Sequence, residues 1–578
     1  MQIRATFLPT FFFWCALGAS AQAQVNQLIS SNHLGYTEWY PSTFAAMNGD
    51  GSLVAFQTIA LLVPADNNFW SDIYLRDRRT NQLSLVSVSL TGGPANSTSD
   101  EAVFSRDGTC LVFRSMGSDI VVGDTNSRAD MFLLELQTSV ITRVSLGSGG
   151  LQANDHSAWP GVSANGRFVA FNSSATNLVP GDTNGWNDIF VHDRQTGITT
   201  RESVSSSGAQ ADLDTLELAL SDDGRFVAFM SLATNLVPGD TNQRADIFVH
   251  DRQSGATTRV NVDDAGNQAS PSSWSGDPKI SADGRFVAFW SNAANLVPGD
   301  TNGFDDTFVH DCVNGTTIRV SVDASGVEGN APSNVSSITP DGRFVAFASQ
   351  ARNFVPGINL FLMNIFVRDL WTNTITCAST TAAGGPANGD SFIPVISNDG
   401  RVVAFESTAV LDPGDGNIHR DIYAHDCQCS NAFGYCTAKS NSLGCTPTIF
   451  ALGASSASAT SGFTLGANAE LNNKRGVLLL GGSGRAAVPF QGGTLCVASP
   501  ARTPILSSGG TPGPALDCSG HFSIDVNTYA AGVLGGHPAS FLKTIGLVID
   551  CQWWSRDPGF AWNAASSLTA GLEYVVGP

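Results

Sequence analysis

Ser281-Ala-Asp-Gly-Arg-Phe-Val-Ala-Phe289, followed by Asn295-Leu-Val-Pro-Gly-Asp-Thr-Asn302 and Thr307-Phe-Val-His-Asp311, is the clearest copy of a passage the chain writes seven times. The glycine of its Asp-Gly-type turn recurs at Gly51, Gly108, Gly166, Gly224, Gly284, Gly342 and Gly400, at spacings of 57, 58, 58, 60, 58 and 58 residues. A period this regular marks a repeat architecture, in which each unit buries its apolar face against its neighbours. Within the third unit, Ala158 to Ser163 reads as a first strand, and Asn165-Gly166 supplies the positive φ angles of a hairpin turn. Arg167 to Asn172 reads as a second strand, Asp188 to His192 as a third, and Ile198 to Val204 as a fourth. Four antiparallel strands per unit, repeated radially, predict an all-β chain built on a seven-bladed β-propeller. The seventh unit stops at Cys427 without a fourth strand. Val25 to Ser31 resembles fourth-strand segments such as Thr258 to Val262, so the mature N-terminus is expected to complete the last blade and leave no bare edge.

Composition sets the surroundings. The 578 residues carry 42% hydrophobic residues, only 14% charged ones and 59 glycines, a mix suited to short strands and turns. Net charge is −20 and only Lys279, Lys439, Lys474 and Lys543 are lysines. Such a chain repels phosphate backbones, which excludes nucleic acid as a partner. Residues 1–23 read as a signal peptide: Arg4 is the basic element, Phe7 to Leu17 is mostly apolar, and Ala19-Ser-Ala21 and Ala21-Gln-Ala23 offer cleavage sites. The residues before Cys15 are too bulky for a lipoprotein box, and no later segment reads as a transmembrane span. The expected location is therefore secreted or in the cell envelope.

The passage Ser-x-Asp-Gly-x-x-x-Ala-Phe, followed by Asp-Ile-Phe/Tyr-Val-x-Asp, resembles the WD40-like (PD40) repeats of TolB-type propellers. The resemblance covers residues 24–426 and rests on seven copies. It implies the fold and a habit of serving as a binding scaffold. TolB itself carries an α/β domain before a six-bladed ring, so its partner network does not carry over.

Between second and third strands, six units carry Asp-x-Asn-x-x-x-Asp. The first unit has Asp66, Asn68 and Asp72, and the second has Asp124, Asn126 and Asp130. The third has Asp182, Asn184 and Asp188, and the fourth has Asp240, Asn242 and Asp246. The fifth has Asp300, Asn302 and Asp306, and the seventh has Asp415, Asn417 and Asp421. The sixth unit has Ile358, Leu360 and Asn364 instead. Alternating oxygen donors on a tight loop suit a hard cation such as Ca²⁺. The same residues also cap turns by accepting backbone N–H groups. These loops share one propeller face with the blade-to-blade connections, which repeat a polar residue at Asn96, Asn154, Asp212, Ser270, Asn330 and Asn388. An acidic, amide-rich ring is expected there, and a protein or glycan ligand with it.

Other repeated residues read as structural. His192, His250, His310 and His425 occupy one place in separate blades, and Arg167, Arg225, Arg285, Arg343 and Arg401 follow the turn and are expected to pair with carboxylates. The chain lacks a Gly-x-Ser-x-Gly elbow, a His-Glu-x-x-His helix and a sialidase-type Asp box. Residues that break the repeat are His33, His156, Trp159, Asp214, Glu217, Trp274 and His419. They form no constellation in sequence, although carboxylates from different blades can meet over the axis.

After a Cys-rich junction (427–436), residues 437–578 lose the period and read as a small β-rich domain, sandwich-like. Gly434 to Cys445 and Asp550 to Gly559 resemble a C-terminal module of secreted planctomycete-type proteins. Cys427, Cys429, Cys436, Cys445, Cys496, Cys518 and Cys551 suggest disulfides in an exported chain, and Trp553, Trp554 and Trp562 read as core residues or a sugar platform. The reading is a secreted, non-catalytic scaffold for protein or glycan, with calcium as its candidate cofactor. A propeller-type polysaccharide hydrolase or lyase, and a structural module of an extracellular assembly, are the alternatives.

Overall fold

The structure is a computed structural model. It describes residues 26–427 apart from 33, 36, 38, 359, 360, 382 and 383, and, beyond 427, the strands and short helices and a few residues beside them. Residues 1–23, read above as a signal peptide, lie outside the described residues, as do Cys429, Cys436, Cys445, Cys518, Trp562 and the side chain of Cys496. The chain divides into two compact units, Met1–Cys427 and Gln428–Pro578.

Among the described residues the first unit is built on seven four-stranded antiparallel sheets, with a short two-stranded ribbon pairing Leu146–Gly147 with Leu151–Gln152. In the third blade, Ser157–Val162 pairs with Phe168–Ser173, which pairs with Asp188–Asp193, which pairs with Ile198–Arg201. The fourth strand ends three residues earlier than the sequence suggested. Each innermost strand packs beside that of the next blade, and the seventh beside the first, so the sheets form a ring. The apolar clusters belong to neighbouring pairs of blades. Ala170, Ile189 and Val191 of the third blade, for example, pack with Leu218, Val227 and Phe229 of the fourth. The repeating glycine is fixed by this packing. Gly284 has φ +75°, and a Cβ there would stand 2.2 Å from Cδ2 of Phe226 in the preceding blade. Its conformation and its neighbour both demand glycine.

Main-chain bonds also join the turns around the axis. Ala164 N–H donates to Asp222 O, Asp222 N–H to Ala282 O, and Ala282 N–H to Pro340 O, at 2.9–3.0 Å. Asn398 N–H donates to Gly49 O at 2.8 Å. Pro340 has no N–H to pass on, so the circuit is interrupted there.

The ring closes through its N-terminus. Asn26–Leu28 pairs with Asp421–Asp426 as the fourth strand of the seventh blade, with Leu28 opposite Tyr423. Arg76 of the first blade, 2% exposed, donates through Nε to Ile29 O at 3.0 Å and through Nη2 to Ser31 O. Asn26 Nδ2 donates to Thr380 O at 2.6 Å. In the third to fifth blades a strand-end histidine pairs with a threonine, as His192 Nδ1 does with Thr199 Oγ1 at 2.9 Å. In the seventh, Asn26 takes the threonine's part, 2.8 Å from His425 Nδ1.

Burial pushes His425 down to about 4, against an opposing pull from Asp426. A depressed histidine pKa means that the unfolded chain takes up the proton first. The stability is therefore present above about 6.5 and lost as pH falls through about 4. The shift corresponds to about 3 kcal/mol at most. Melting temperature should fall between pH 6.5 and 4, and His425→Gln should flatten part of that slope. An unchanged slope in the variant would remove His425 as its source.

In the second unit, one sheet is built on Arg475–Gly481 and Val548–Arg556, and another on Thr448–Gly453, Phe463–Glu470 and Gly520–Asp525. Leu465, Leu478, Phe522, Ile524 and Ile549 make one core between them. Asp525 caps the short helix Val526–Ala530 by accepting from Thr528 N–H at 2.8 Å. Trp553 and Trp554 belong to the strand Val548–Arg556. In the propeller, Cys110, Cys312 and Cys377 are thiols. Among the described residues no helix is long and apolar enough to cross a membrane.

Candidate functional site on the loop face

All six Asp-x-Asn-x-x-x-Asp motifs lie between second and third strands, each gathered within its own blade. In the third blade, Asn184 Nδ2 donates to Asp188 Oδ2 at 3.0 Å and to Ala211 O at 2.9 Å, while its Oδ1 accepts from Trp186 N–H at 3.1 Å. Asn126 repeats the pattern in the second blade. Its Nδ2 donates to Asp130 Oδ2 and to Ala153 O, both at 3.0 Å, and its Oδ1 accepts from Arg128 N–H at 3.0 Å. In the fourth, Asn242 Nδ2 donates to both oxygens of Asp246 at 3.0 Å, and its Oδ1 accepts from Arg244 N–H at 3.0 Å. Asn302 does the same in the fifth, with Asp306 Oδ2 at 2.9 Å and Phe304 N–H at 2.8 Å. Asn126, Asn184, Asn242 and Asn302 turn an N–H toward the second aspartate and spend their oxygen on a backbone cap, which is the turn-capping role.

The counter-charge in these blades is an arginine. Ser203 Oγ donates to Asp188 Oδ1. Arg201, on the fourth strand, places Nη1 3.4 Å from Asp182 Oδ1 and 3.3 Å from Asp188 Oδ2. Arg143 stands likewise between Asp124 and Asp130, Arg259 between Asp240 and Asp246, and Arg319 between Asp300 and Asp306, at 3.2–3.4 Å. Each guanidinium thus sits between two buried carboxylates. Burial pushes Asp188 and Asp306 up, and pushes Asp240 and Asp300 up to about 6.

The first and seventh blades carry different residues at these places. The positions opposite Tyr74 and Tyr423, where Arg201 stands opposite Phe190, are held by Leu85 and Leu28. Tyr74 Oη donates to Asp66 Oδ2, and Tyr423 Oη to Asp415 Oδ2. Ser87 and Ser30 donate to Oδ1 of Asp72 and Asp421 at 2.6 Å. In the sixth blade the whole ionic set is gone. Phe354 and Ile358 are buried, Phe354 meets Phe366 edge to face at 5.2 Å, and Cys377 holds the arginine's register position.

The repeated polar residues of the connections pin these loops. Asn154 accepts from Thr176 N–H at 3.0 Å, and Asp212, Asn330 and Asn388 accept equivalent bonds. The arginines after the turn pair as expected. Arg167, Arg225, Arg285 and Arg343 meet Asp193, Asp251, Asp311 and Asp369 at 2.7–2.8 Å.

A second feature appears only in three dimensions. Every inner strand breaks register with its partner near its third residue. The residues there are Phe44, Glu101, Trp159, Glu217, Asp277, Val335 and Ile393, spaced like the glycines. Phe44, Glu101, Trp159, Asp277 and Ile393 have φ of 46–53°, rare for residues with side chains. An inner strand is paired on one edge and covered by blades on both faces, so its extra residue is accommodated at the axial edge. Trp159 is 42% exposed in mid-strand for that reason. The axial mouth thus has an acidic, aromatic side (Glu101, Trp159, Glu217, Asp277) and an apolar side (Ile393, Phe44).

Carboxylates hold this ring together. Glu101 Oε2 accepts from Trp159 N–H at 2.7 Å, Glu217 Oε2 from Asp277 N–H at 2.5 Å, and Glu406 Oε1 from Phe44 N–H at 2.7 Å. Burial pushes Glu101, Glu217 and Glu406 up. Arg114 and Arg420 balance part of the charge, 3.5 Å from Glu101 and 2.9 Å from Glu406. Below the mouth the channel holds a cavity of about 260 Å³ lined by Met47, Phe104, Leu220, Ile280 and Ile396, with Arg106 at its turn end. Arg106 Nε lies 2.7 Å from Asp222 Oδ1 there.

Exposed rings stand on the loops of the same face. Trp70, Trp186 and Phe304 stand two residues after the motif asparagine, and Trp274 lies on the fifth blade's connection. Of the repeat-breaking residues, Trp159 and Glu217 line the axis. His156 and Asp214 serve the loops by accepting from Ala129 N–H and Asn187 N–H. His419 meets Trp39 at 6.0 Å. His33 lies outside the described residues.

No protein-family model matches the chain, and no curated protein matches it in sequence. Similar solved structures include TolB from Acinetobacter baumannii, 16% identical over 53% of this chain and 58% of that one, with a TM-score of 0.32. The chain therefore spans less than two thirds of that TolB's length. The β-propeller domain of the Trilobed protease from Pyrococcus furiosus is 11% identical over 68% of this chain and 97% of its own, TM-score 0.41. Acylaminoacyl peptidase from Pyrococcus horikoshii is 9% identical over 76% and 59%, TM-score 0.40. The β-propeller itself rests on the seven sheets and their cyclic packing.

Proposed function

We propose that the chain is an exported, non-catalytic scaffold that receives a protein or glycan ligand on its loop face, centred on the axial mouth. The observation that carries this reading is where the blades differ. Turn glycines, turn arginines and inter-blade phenylalanines are nearly constant, whereas the axial bulge and the exposed position after the motif asparagine change from blade to blade. The changed positions supply Trp159, Trp186, Trp70 and Phe304, rings of the kind that anchor binding surfaces. Glu101 and Glu217 each give an oxygen to a neighbouring blade's N–H, a positioning task that suits a fixed surface. The leader-like N-terminus supports export, and the second unit would attach the ring to a surface or partner.

The hydrolase or lyase alternative is favoured by one observation: two raised carboxyls, Glu101 and Glu217, flank an exposed tryptophan. A glycan array with the mature protein, alongside capture from an envelope fraction, tests both. Expected is saturable binding, weakened about tenfold or more by Trp159→Ala, with no product released from the bound glycan. Product release abolished by Glu217→Gln would establish the enzyme instead. Absence of any ligand would leave the structural module.

A further inference from the structure

Four blades define a seat for one positive charge. In the second to fifth, a single guanidinium nitrogen stands 3.2–3.4 Å from an oxygen of each motif aspartate. The first and seventh blades keep both aspartates, yet leucine occupies the arginine's register position. Their loops still fold alike. Asn68 N–H donates to Asp66 Oδ1 at 3.2 Å and Asn417 N–H to Asp415 Oδ1 at 3.0 Å.

The difference falls on the second aspartate. Asp130, Asp188, Asp246 and Asp306 have Oδ2 held by asparagine and arginine. Asp72 is fully buried and Asp421 is 2% exposed, and in each Oδ2 has no hydrogen-bond partner among the described residues. Asp182 Oδ1 and Asp240 Oδ1 of the third and fourth blades also lack a hydrogen bond, but each faces its arginine at 3.4 Å, whereas Asp72 Oδ2 and Asp421 Oδ2 belong to the two blades whose arginine is missing. The sixth blade shows that a ring can discard the aspartates along with the arginine. The first and seventh have kept two buried carboxylates without the cation that balances them elsewhere, an expensive arrangement unless another cation fills the seat.

We propose that the first and seventh blades each bind one hard divalent cation of the calcium class, between Asp66 and Asp72 and between Asp415 and Asp421, and that the second to fifth blades bind none. The aspartates and the hydroxyls of Tyr74, Ser87, Tyr423 and Ser30 beside them offer oxygen, which suits calcium and not a soft metal. Two carboxylates neutralise one divalent ion. Calcium–oxygen distances are about 2.3–2.6 Å, so the aspartates would draw in by roughly 1 Å from the spacing the guanidinium sets.

The test is calorimetric titration of the metal-stripped mature chain with Ca²⁺, with melting curves in calcium and in chelator. Expected are two equivalents per chain and a melting temperature that drops in chelator. Giving the two blades the residue set of the third, by Y74F with L85R and Y423F with L28R, should abolish binding and the chelator effect while the variant still melts cooperatively. The reverse exchange, F190Y with R201L in the third blade, should raise the count to three. Six equivalents, none, or two that survive the arginine substitutions would each overturn the proposal. Because the arginine variant is read against its own melt, loss of binding through misfolding is recognised directly.

Discussion

A chain that begins at Asn32 is expected to lose its cooperative melt at neutral pH. Removing the preceding residues strips the strand Asn26–Leu28 from Asp421–Asp426 and exposes a hydrogen-bonding edge. Ile29, fully buried between the first and seventh blades, goes with it, at about 1.5–3 kcal/mol. Arg76 suffers most. Burial already pulls it down to about 10, and without Ile29 O and Ser31 O its guanidinium keeps only the bond to Asn81 O at 2.8 Å. Stranding such a buried charge costs about 3–5 kcal/mol. Together these losses approach the whole stability of an ordinary domain, about 5–15 kcal/mol. Circular dichroism on heating reads the result, and a peptide spanning residues 24–32 should restore the transition when added in excess. A truncated chain that melts like the intact one would mean that the seventh blade does not depend on its borrowed strand.

Arg201→Leu should cost about 3–5 kcal/mol at pH 7, because it leaves Asp182 and Asp188 facing each other without a counter-charge. Both carboxyls are already raised by burial. For a raised aspartate the folded state binds its proton more tightly, so the contribution is favourable at low pH and is lost as pH rises through the folded value. The deficit of Arg201→Leu should therefore shrink on acidification. Adding Phe190→Tyr supplies the hydroxyl that Tyr74 gives Asp66 in the first blade, and part of the loss should return. Denaturant unfolding of the three chains at pH 5 and pH 7 measures this. A loss equal at both pH values would show that the guanidinium acts by packing and not by charge.

The turn glycine, the valine–alanine–phenylalanine strand and the closing N-terminal segment were legible because each depends on local chemistry. A positive φ, a two-residue alternation and a resemblance between strand segments need no tertiary information. The motif asparagines were legible as polar loop residues, but which atom each aims inward was not. Asn126 and Asn242 offer oxygen and N–H alike, and only the folded loop assigns the oxygen to Arg128 and Arg244 N–H. The arginine of the acidic loops was present in the sequence but harder to see. It recurs thirteen residues after the second aspartate, from Asp130 to Arg143 through Asp306 to Arg319, and is missing where the third strand carries tyrosine. Its partnership becomes visible only with the register that sets Phe190 opposite Arg201. The axial ring was hidden for another reason. A bulge breaks the alternation on which strand reading rests, so Glu101 and Asp277 look like ordinary outward residues. Trp159 and Glu217 stood out as irregular, yet nothing in the sequence placed them on one rim.

The main-chain circuit around the turn end, with Gly49 wedged so closely that a Cβ would meet Arg106 O at 2.3 Å, asks little of side chains. Assembly is thereby written at one pole of the molecule, in a part that can be copied from blade to blade unchanged. The opposite pole is released from that duty. A lineage carrying this ring can rewrite its loops one blade at a time, as the sixth blade has done, without renegotiating how the blades find each other.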